Sequence, residues 1–325
     1  MIPNQWYVVL ASREVRRGKV LGVTRMGERL VFARDQKEKV FCLRDKCAHR
    51  GAALSAGRLI ADRIQCPFHG FEYDASGRGV LIPANGKDAP VPDRFHVVSY
   101  PVHEDCGFIW IWWGESAPAE LKKPRFFNDI DGSFHSSLMV DPWDTHYSRA
   151  IENQLDAVHL PFVHRTTIGR GNKTVVNGPV TLWKDPDHLV VHVYNEVDAG
   201  QKPLKPEEIN PPYASFHVEL LFPNIWQNWI SEKMRIVVAF VPVDQSHTLM
   251  YLRFYQKLIR LPILAGLANK LFMVFNRVIL HQDRRVVQTQ LPKPSGLSIG
   301  ENLIQGDGPV VAYRMRRDSL IKTSK

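Results

Sequence analysis

Two short Cys/His pairs, Cys47-x-His49 and Cys66-x-x-His69, lie within the stretch CAHRGAALSAGRLIADRIQCPFHG. Two thiols and two imidazoles this close together suit a metal centre of one of two kinds. One is a structural Cys₂His₂ zinc site; the other is an iron–sulfur cluster with two Cys on one iron and two His on the other. Their grouping separates the two. A zinc finger gathers its Cys in one arm and its His, on a helix, in the other, whereas here each arm carries one of each. Gly51 and Gly70 follow the arms and Pro67 lies inside the second. Such residues suit two tight loops whose backbone N–H groups point inward toward bridging sulfides.

A second set of ligand-type residues starts about ninety residues further on. The stretch IENQLDAVHLPFVH holds Glu152, Asn153, Asp156, His159 and His164. Asp156 and His159 are three apart and are expected to share a helix face. Pro161 is expected to break or bend that helix and turn His164 back toward His159. Two convergent imidazoles form two-thirds of the facial triad that holds non-heme Fe(II). The missing carboxylate is expected on an otherwise apolar helix face. In VILHQDRRVVQTQ, Ile279, Asp283, Val286 and Val287 fall at helical spacing, which puts Asp283 in the core-facing stripe. A buried carboxylate needs a metal or a charged partner; the competing partners are Arg277 and Arg284. Glu232 and Glu301 are weaker ligand candidates, because no apolar pattern surrounds them.

CAHRG and CPFHG together resemble the Rieske [2Fe–2S] signature C-x-H-x-G joined to C-x-x-H-G. The resemblance implies Cys47 and Cys66 on one iron and His49 and His69 on the other. The remaining cysteines, Cys42 and Cys106, lie outside both arms, which is similar to the oxygenase branch rather than to the disulfide-bearing respiratory proteins. Glu152, Asp156, His159 and His164 resemble the [D/E]-x₃-D-x₂-H-x₄-H iron motif of Rieske non-heme iron oxygenases. LFPNIW and QDRRVVQTQ extend the resemblance over nearly the whole chain.

That family resemblance implies an α+β fold: an all-β Rieske domain, residues 1–118, then a helix-grip (START-like) catalytic domain, residues 119–325. It implies a [2Fe–2S] cluster and a mononuclear Fe(II) held by His159, His164 and Asp283, with Asp156 and Asn153 as the catalytic residues beside it. It also implies a homotrimer in which Asp156 bridges His159 and a Rieske histidine, by analogy His69, across the interface. The function implied is that of a terminal oxygenase of the homotrimeric monooxygenase or demethylase branch, acting on an apolar aromatic or polycyclic substrate with O₂. The alternative is a Rieske electron-transfer or ligand-binding protein without oxygenase activity. There is no Gly-rich dinucleotide fingerprint and no further ferredoxin-type Cys set, so electrons are expected from a separate NAD(P)H-dependent reductase, with or without a ferredoxin.

The elements that position these residues follow from composition and pattern. The chain has 325 residues, 44% hydrophobic and 23% charged, enough for two globular domains. WYVVLA, RLVFAR, KVFCLR and FIWIWW read as strands of the first domain. A polar, Pro-bearing stretch near residue 118 reads as the boundary. Residues 140–166 read as helical. VTLWKDPDHLVVHVYNEV reads as a hairpin turned at Asp185-Pro186-Asp187, and the segments up to HTLMYLRFYQ as a meander. A long helix over 262–290, largely buried, and a Gly/Pro-bearing tail complete the chain. Aromatic residues at Phe222, Trp226, Trp229, Phe240, Phe254, Phe272 and Phe275 are candidates for an apolar pocket.

The net charge is +9, but the cations are dispersed and no nucleic-acid motif accompanies them. The segment from Leu261 to Leu280 is apolar, yet Lys270 and Arg277 inside it argue against a spanning helix; membrane association is not expected, with a membrane-surface role of this helix as the alternative. Four cysteines without a disulfide scaffold, and a start that lacks a signal-peptide pattern, lead to the expectation of a cytoplasmic protein.

Overall fold

The structure is a computed structural model and describes residues 1–114, 121–169, 171 and 173–323. The chain divides into two compact units, residues 3–124 and residues 125–325. The boundary expected at 118 falls outside the described residues.

The first unit is built from short strands. They are β1 (Gln5–Ala11), β2 (Leu21–Arg25), β3 (Glu28–Arg34), β4 (Val40–Arg44), β5 (Arg58–Ile60) and β6 (Arg63–Gln65). Then come β7 (Glu72–Tyr73), β8 (Gly79–Leu81), β9 (Ser99–Tyr100), β10 (Val102–Asp105) and β11 (Phe108–Trp113). They form three antiparallel sheets, ordered β1-β11-β10, β2-β3-β4-β9 and β5-β6-β7-β8. Apart from Lys39, the four quoted β-rich runs lie in strands, because β-branched and aromatic side chains pack well on a half-buried pleated surface. The third sheet matters most for chemistry. The Cys47 arm lies in the connection from β4 to β5 and the Cys66 arm in the turn from β6 to β7, and Cys47 and Cys66 join Leu54, Ile64, Phe71, Tyr73 and Ile82 in one apolar cluster.

The second unit is one antiparallel sheet with helices. The sheet strands are β12 (His135–Trp143), β13 (Thr174–Asp185), β14 (His188–Val197), β15 (His217–Leu221), β16 (Ile225–Ser231), β17 (Met234–Pro242) and β18 (Thr248–Gln256). Their order is β12-β18-β17-β16-β15-β14-β13. The hairpin β13–β14 turns at the expected place, with Asp185 paired to His188. Helices α1 (Tyr147–Leu155) and α2 (Leu160–Val163) lie in the crossover from one sheet edge, β12, to the other, β13. Helix α3 (Pro262–Val287) follows β18 and packs on β12, β18, α1 and α2. The crossover and α3 therefore meet.

Four local expectations are corrected. Residues 140–143 are strand rather than helix; Pro142 is tolerated because β12 is an edge strand. The tail contains a further helix, α4 (Gly308–Thr323). Its apolar periodicity is weak, but it is anchored by Arg314, which reaches Glu152 in α1 through paired contacts of 2.8 Å. Asp156 and His159 do not share a helix, because α1 ends at Leu155 and Asp156 is its C-cap. Finally, α3 is not largely buried. Ala265, Asn269, Asn276, Leu280, Asp283 and Val287 face the core, whereas Ile263, Leu264, Leu267, Leu271, Val274 and Val278 are exposed. An apolar run does not say by itself which of its faces the fold covers.

Candidate metal centres and active site

The two Cys/His arms fold alike. Cys47 N–H donates to Ala52 O (2.8 Å) and Gly51 N–H donates to Cys47 O (2.9 Å). Correspondingly, Cys66 N–H donates to Phe71 O (2.7 Å) and Gly70 N–H donates to Cys66 O (3.1 Å). The loops close because Gly51 and Gly70 adopt φ of +75° and +71°, a conformation costly for any residue with a Cβ. The thiols of Cys47 and Cys66 are buried, while both imidazoles are exposed, with ring centroids 4.8 Å apart. Phe71 stacks on His49 at 4.7 Å. Tyr73 Oη lies 3.2 Å from Cys47 Sγ and accepts from Ala48 N–H at 3.2 Å, so its own proton is free to point at sulfur. Burial, followed by the Cys47 thiol, pushes the Tyr73 hydroxyl pKa up, which keeps that proton in place. Cys42 and Cys106 form no disulfide. Two buried sulfurs, two surface imidazoles and a hydroxyl donor to sulfur fit a [2Fe–2S] cluster of mixed ligation.

The second set converges as well. Pro161 sits in the first turn of α2, where a missing N–H costs nothing, so it starts a helix rather than bending one. His159 and His164 flank that single turn as its caps. His159 Nε2 lies 3.3 Å from His164 Nε2. Asp283 Oδ1, brought by α3, lies 3.3 Å from His159 Nε2 and 3.0 Å from His164 Nε2. Ligand atoms that share a metal at ~2.0–2.2 Å lie about 3 Å apart. These three residues are the only group of this kind among the described residues. Asp283 is 3% exposed and takes neither competing partner: Arg284 pairs with Asp141 at 2.8 Å, and Arg277 is exposed on the far side of α3.

Each of the three carries an outer partner. His164 Nδ1 donates to Gln282 Oε1 (2.8 Å). The Gln282 amide is oriented by Thr167 Oγ1, which donates to Oε1 (2.8 Å), and by Thr166 Oγ1, which accepts from Nε2 (3.1 Å). With Nδ1 protonated, the lone pair of His164 is on Nε2, facing Asp283 and His159. Gln154 Nε2 donates to Asp283 Oδ2 (3.4 Å), and Asp156 Oδ2 lies 3.6 Å from His159 Nδ1. Oriented imidazoles with a supported carboxylate are the normal outer surroundings of a metal site. Without a cation, burial opposes charge on His159, but the carboxylates of Asp156 and Asp283 outweigh it and raise its pKa to about 9. Burial likewise opposes the Asp283 carboxylate, and hydrogen bonding to His159 and His164 holds it at about 2. The centre thus demands positive charge, which a divalent cation supplies.

These residues border a cavity of about 550 Å³. Its floor is the sheet, in rows set by register: Val218, Asn228, Ile236 and Phe254 pair across β15 to β18, and Trp226, Val238 and Leu252 form the next row. Phe272, Phe275, Asn276, Ile279 and Leu280 of α3 form another wall. Apart from His159 and Asp283 of the His/Asp set, three side-chain atoms of described cavity residues have no hydrogen-bond partner in the chain: Asn153 Nδ2, Trp226 Nε1 and Asn228 Oδ1. Of the aromatic candidates, Trp226, Phe254, Phe272 and Phe275 line the cavity. Trp229 stacks on His217 instead, Phe240 is fully buried, and Phe222 stacks on Trp183.

Glu152 is drawn out of the site by Arg314, and Glu301 pairs with Arg149 and Arg314. Glu232 is exposed in the β16–β17 turn. Sequence reasoning missed Gln282 and Gln154; the one available signal was the position of Gln282 next to an acid on an apolar stripe.

Two family models match. Residues 5–101 match the Rieske [2Fe–2S] domain, and residues 143–323 match the vanillate O-demethylase oxygenase C-terminal domain. Methylxanthine N1-demethylase NdmA of Pseudomonas putida is 28% identical over 280 residues, which cover 84% of this chain and 75% of that protein. The oxygenase component of dicamba O-demethylase from Stenotrophomonas maltophilia is 35% identical over 50% of this chain and 48% of its own. The chain spans less than half the length of the first curated relatives it matches, for instance 27% of a chlorophyllide a oxygenase of Chlamydomonas reinhardtii. Among solved structures, NdmA superposes with a TM-score of 0.77 at 22% identity, covering 99% of this chain and 94% of that one. Dicamba monooxygenase bound to dicamba gives 0.74 at 20% identity, covering 99% and 98%. These two superpositions establish the same fold.

Proposed function

The chain belongs to the Rieske oxygenases whose catalytic domain is of the vanillate O-demethylase type, and from that premise we propose that it is a terminal oxygenase component that oxidises a largely apolar ring compound, most simply by removing an N- or O-methyl group. The observation that carries the reading is the meeting of His159, His164 and Asp283 at 3.0–3.3 Å on the wall of an apolar cavity. Cys47, Cys66, His49 and His69 would hold the [2Fe–2S] cluster, and His159, His164 and Asp283 the mononuclear Fe(II). When bound, the cluster supplies single electrons and the Fe(II) centre supplies oxygen activation.

The chain's own residues do the rest. Gln282 fixes the tautomer of His164, Gln154 steadies Asp283, and Asp156 faces the outer nitrogen of His159. The Asp156 side chain is partly exposed, so it is free to meet a Rieske histidine of a neighbouring copy in a homotrimer. The apolar rows of the sheet exclude water from the bound ring. Asn153 Nδ2 and Trp226 Nε1 offer donors and Asn228 Oδ1 offers an acceptor, so the substrate combines ring area with a carbonyl-type acceptor and a donor. The printed activities of the two demethylase relatives, on a methylxanthine and on dicamba, support this class. Electrons come from a separate reductase, directly or through a ferredoxin.

The test is oxygen uptake together with formaldehyde release by the iron-loaded protein, a reductase and NAD(P)H, over a panel of N-methyl and O-methyl ring compounds. Stoichiometric formaldehyde with one member of the panel supports the reading. Full occupancy of both iron sites with no substrate-dependent oxygen uptake overturns it.

A further inference from the structure

Helix α3 faces two ways. At ~100° per residue, Ala265, Asn269, Asn276, Leu280, Asp283 and Val287 fall on one side, and these are the buried positions. Ile263, Leu267, Leu271, Val274 and Val278 fall on the opposite side and are exposed, Ile263 by 81% and Leu271 by 75%. Leu258 and Leu261, just before the helix, are exposed as well. The result is an aliphatic stripe along nearly all of a helix ~39 Å long. A stripe of this length is far from the scattered single apolar residues of an ordinary soluble surface.

The charges carried by the segment that forms the stripe have one sign, and Asp141 of β12, the acid that reaches the C-terminal end of α3, is paired with His281 and Arg284. No acidic residue occurs between Asp244 and Asp283 in the sequence. Arg260, Lys270 and Arg277 are exposed in that interval, and Lys270 and Arg277 lie along one flank of the stripe. The apolar side chains are Leu, Ile and Val, with Phe275 at the cavity edge, whereas protein-binding hot spots favour Trp, Tyr and Arg. An aliphatic face with a cationic rim and no acid within its own segment matches an anionic bilayer surface. Spanning is excluded, because the other face carries buried Asn269, Asn276 and Asp283 and packs on the sheet.

We propose that α3, with its lead-in from Leu258, seats this protein in the plane of an anionic lipid bilayer. This takes up the membrane-surface alternative that the sequence left open for this helix. Phe275 is half-exposed toward that side and also lines the cavity, so the contact lies beside the cavity. The proposal stands on the surface of α3 alone and is independent of the proposed catalysis.

Vesicle flotation of the full chain tests it. The vesicles are phosphatidylcholine alone, or phosphatidylcholine with phosphatidylglycerol. The protein is expected to float with the anionic vesicles and to do so less as salt rises. Ile263→Glu/Leu271→Glu is expected to reduce the bound fraction at least tenfold, with unchanged circular dichroism and cluster absorbance. Lys270→Glu/Arg277→Glu, purely surface changes, are expected to weaken binding to anionic vesicles and leave binding to neutral ones unchanged. Wild-type protein that never floats overturns the proposal, as do apolar-face variants that float normally. Wild-type protein that fails to float, while the Ile263→Glu/Leu271→Glu variant loses oligomer mass, also overturns it and assigns the face to a second copy of the chain.

Discussion

In the first unit, Cys47 and Cys66 occupy loops with the same pair of backbone hydrogen bonds and a positive-φ glycine at the same offset. In the second, His159 and His164 flank one helical turn, and Asp283 arrives from a helix more than a hundred residues later. The Cys/His centre is thus assembled from two neighbouring segments whose own turns aim the ligands. The His/Asp centre exists only if the crossover from β12 to β13 and helix α3 pack on each other. A site of the first kind tolerates changes in distant packing; a site of the second kind does not.

The contrast is broken most severely at Asp283. Asp283→Ala leaves two neutral imidazoles, and Fe(II) retention is expected to fall by orders of magnitude while the cluster stays. Iron counting beside the visible cluster spectrum reads this out: two irons per chain are expected in place of three. Three irons would move the third ligand elsewhere.

Next in size is a change far from either set. Arg314→Met strips Glu152 of its bidentate partner inside the second unit, leaving Arg149 at 3.4 Å. A buried carboxylate deprived of its partner costs ~3 kcal/mol or more. Calorimetry should show the transition of the second unit lowered, while the cluster absorbance of the first persists to its usual temperature. Simultaneous loss of both signals would show that the two centres do not differ in their dependence on packing.

Gln282→Leu sharpens the contrast from within the site. It removes the acceptor that fixes His164, and Fe(II) affinity is expected to fall ~10–100-fold with little loss of stability. Competition with a chelator measures it. An unchanged affinity would mean that the tautomer of His164 is fixed by something else.

The smallest effect is expected at Tyr73→Phe. Loss of the hydroxyl from Cys47 Sγ removes a hydrogen bond that favours the more electron-rich, reduced cluster. A bond worth ~0.5–1.5 kcal/mol corresponds to ~20–65 mV for one electron. Redox titration should show the potential lowered by that amount, with the Fe(II) site untouched.

Much of this was legible from residue order. The Cys/His arms announce themselves because their ligands, glycines and proline are adjacent in the chain, and loop geometry follows from adjacent residues. The His159–His164 pair was legible for the same reason, although the route differed: Pro161 begins a turn instead of bending a helix. Asp283 was legible as an acid in an apolar stripe. Its partner was not, because Arg284, Arg277 and two imidazoles were all chemically eligible. Packing chose among them by giving Arg284 to Asp141. Glu152 shows the reverse case, a motif position claimed by Arg314 from a helix whose pattern was too weak to read.

Sequence alone determined the chemistry available: which side chains can bind iron, and where the backbone must turn to let them. Tertiary structure alone decided which cavity wall each aromatic residue joined, which partner each buried charge took, and which face of α3 stayed outside. Ligand type and turn chemistry are properties of a few consecutive residues. Burial and pairing depend on what arrives from elsewhere in the chain, and an apolar helix face reads the same whether the sheet or the surroundings cover it.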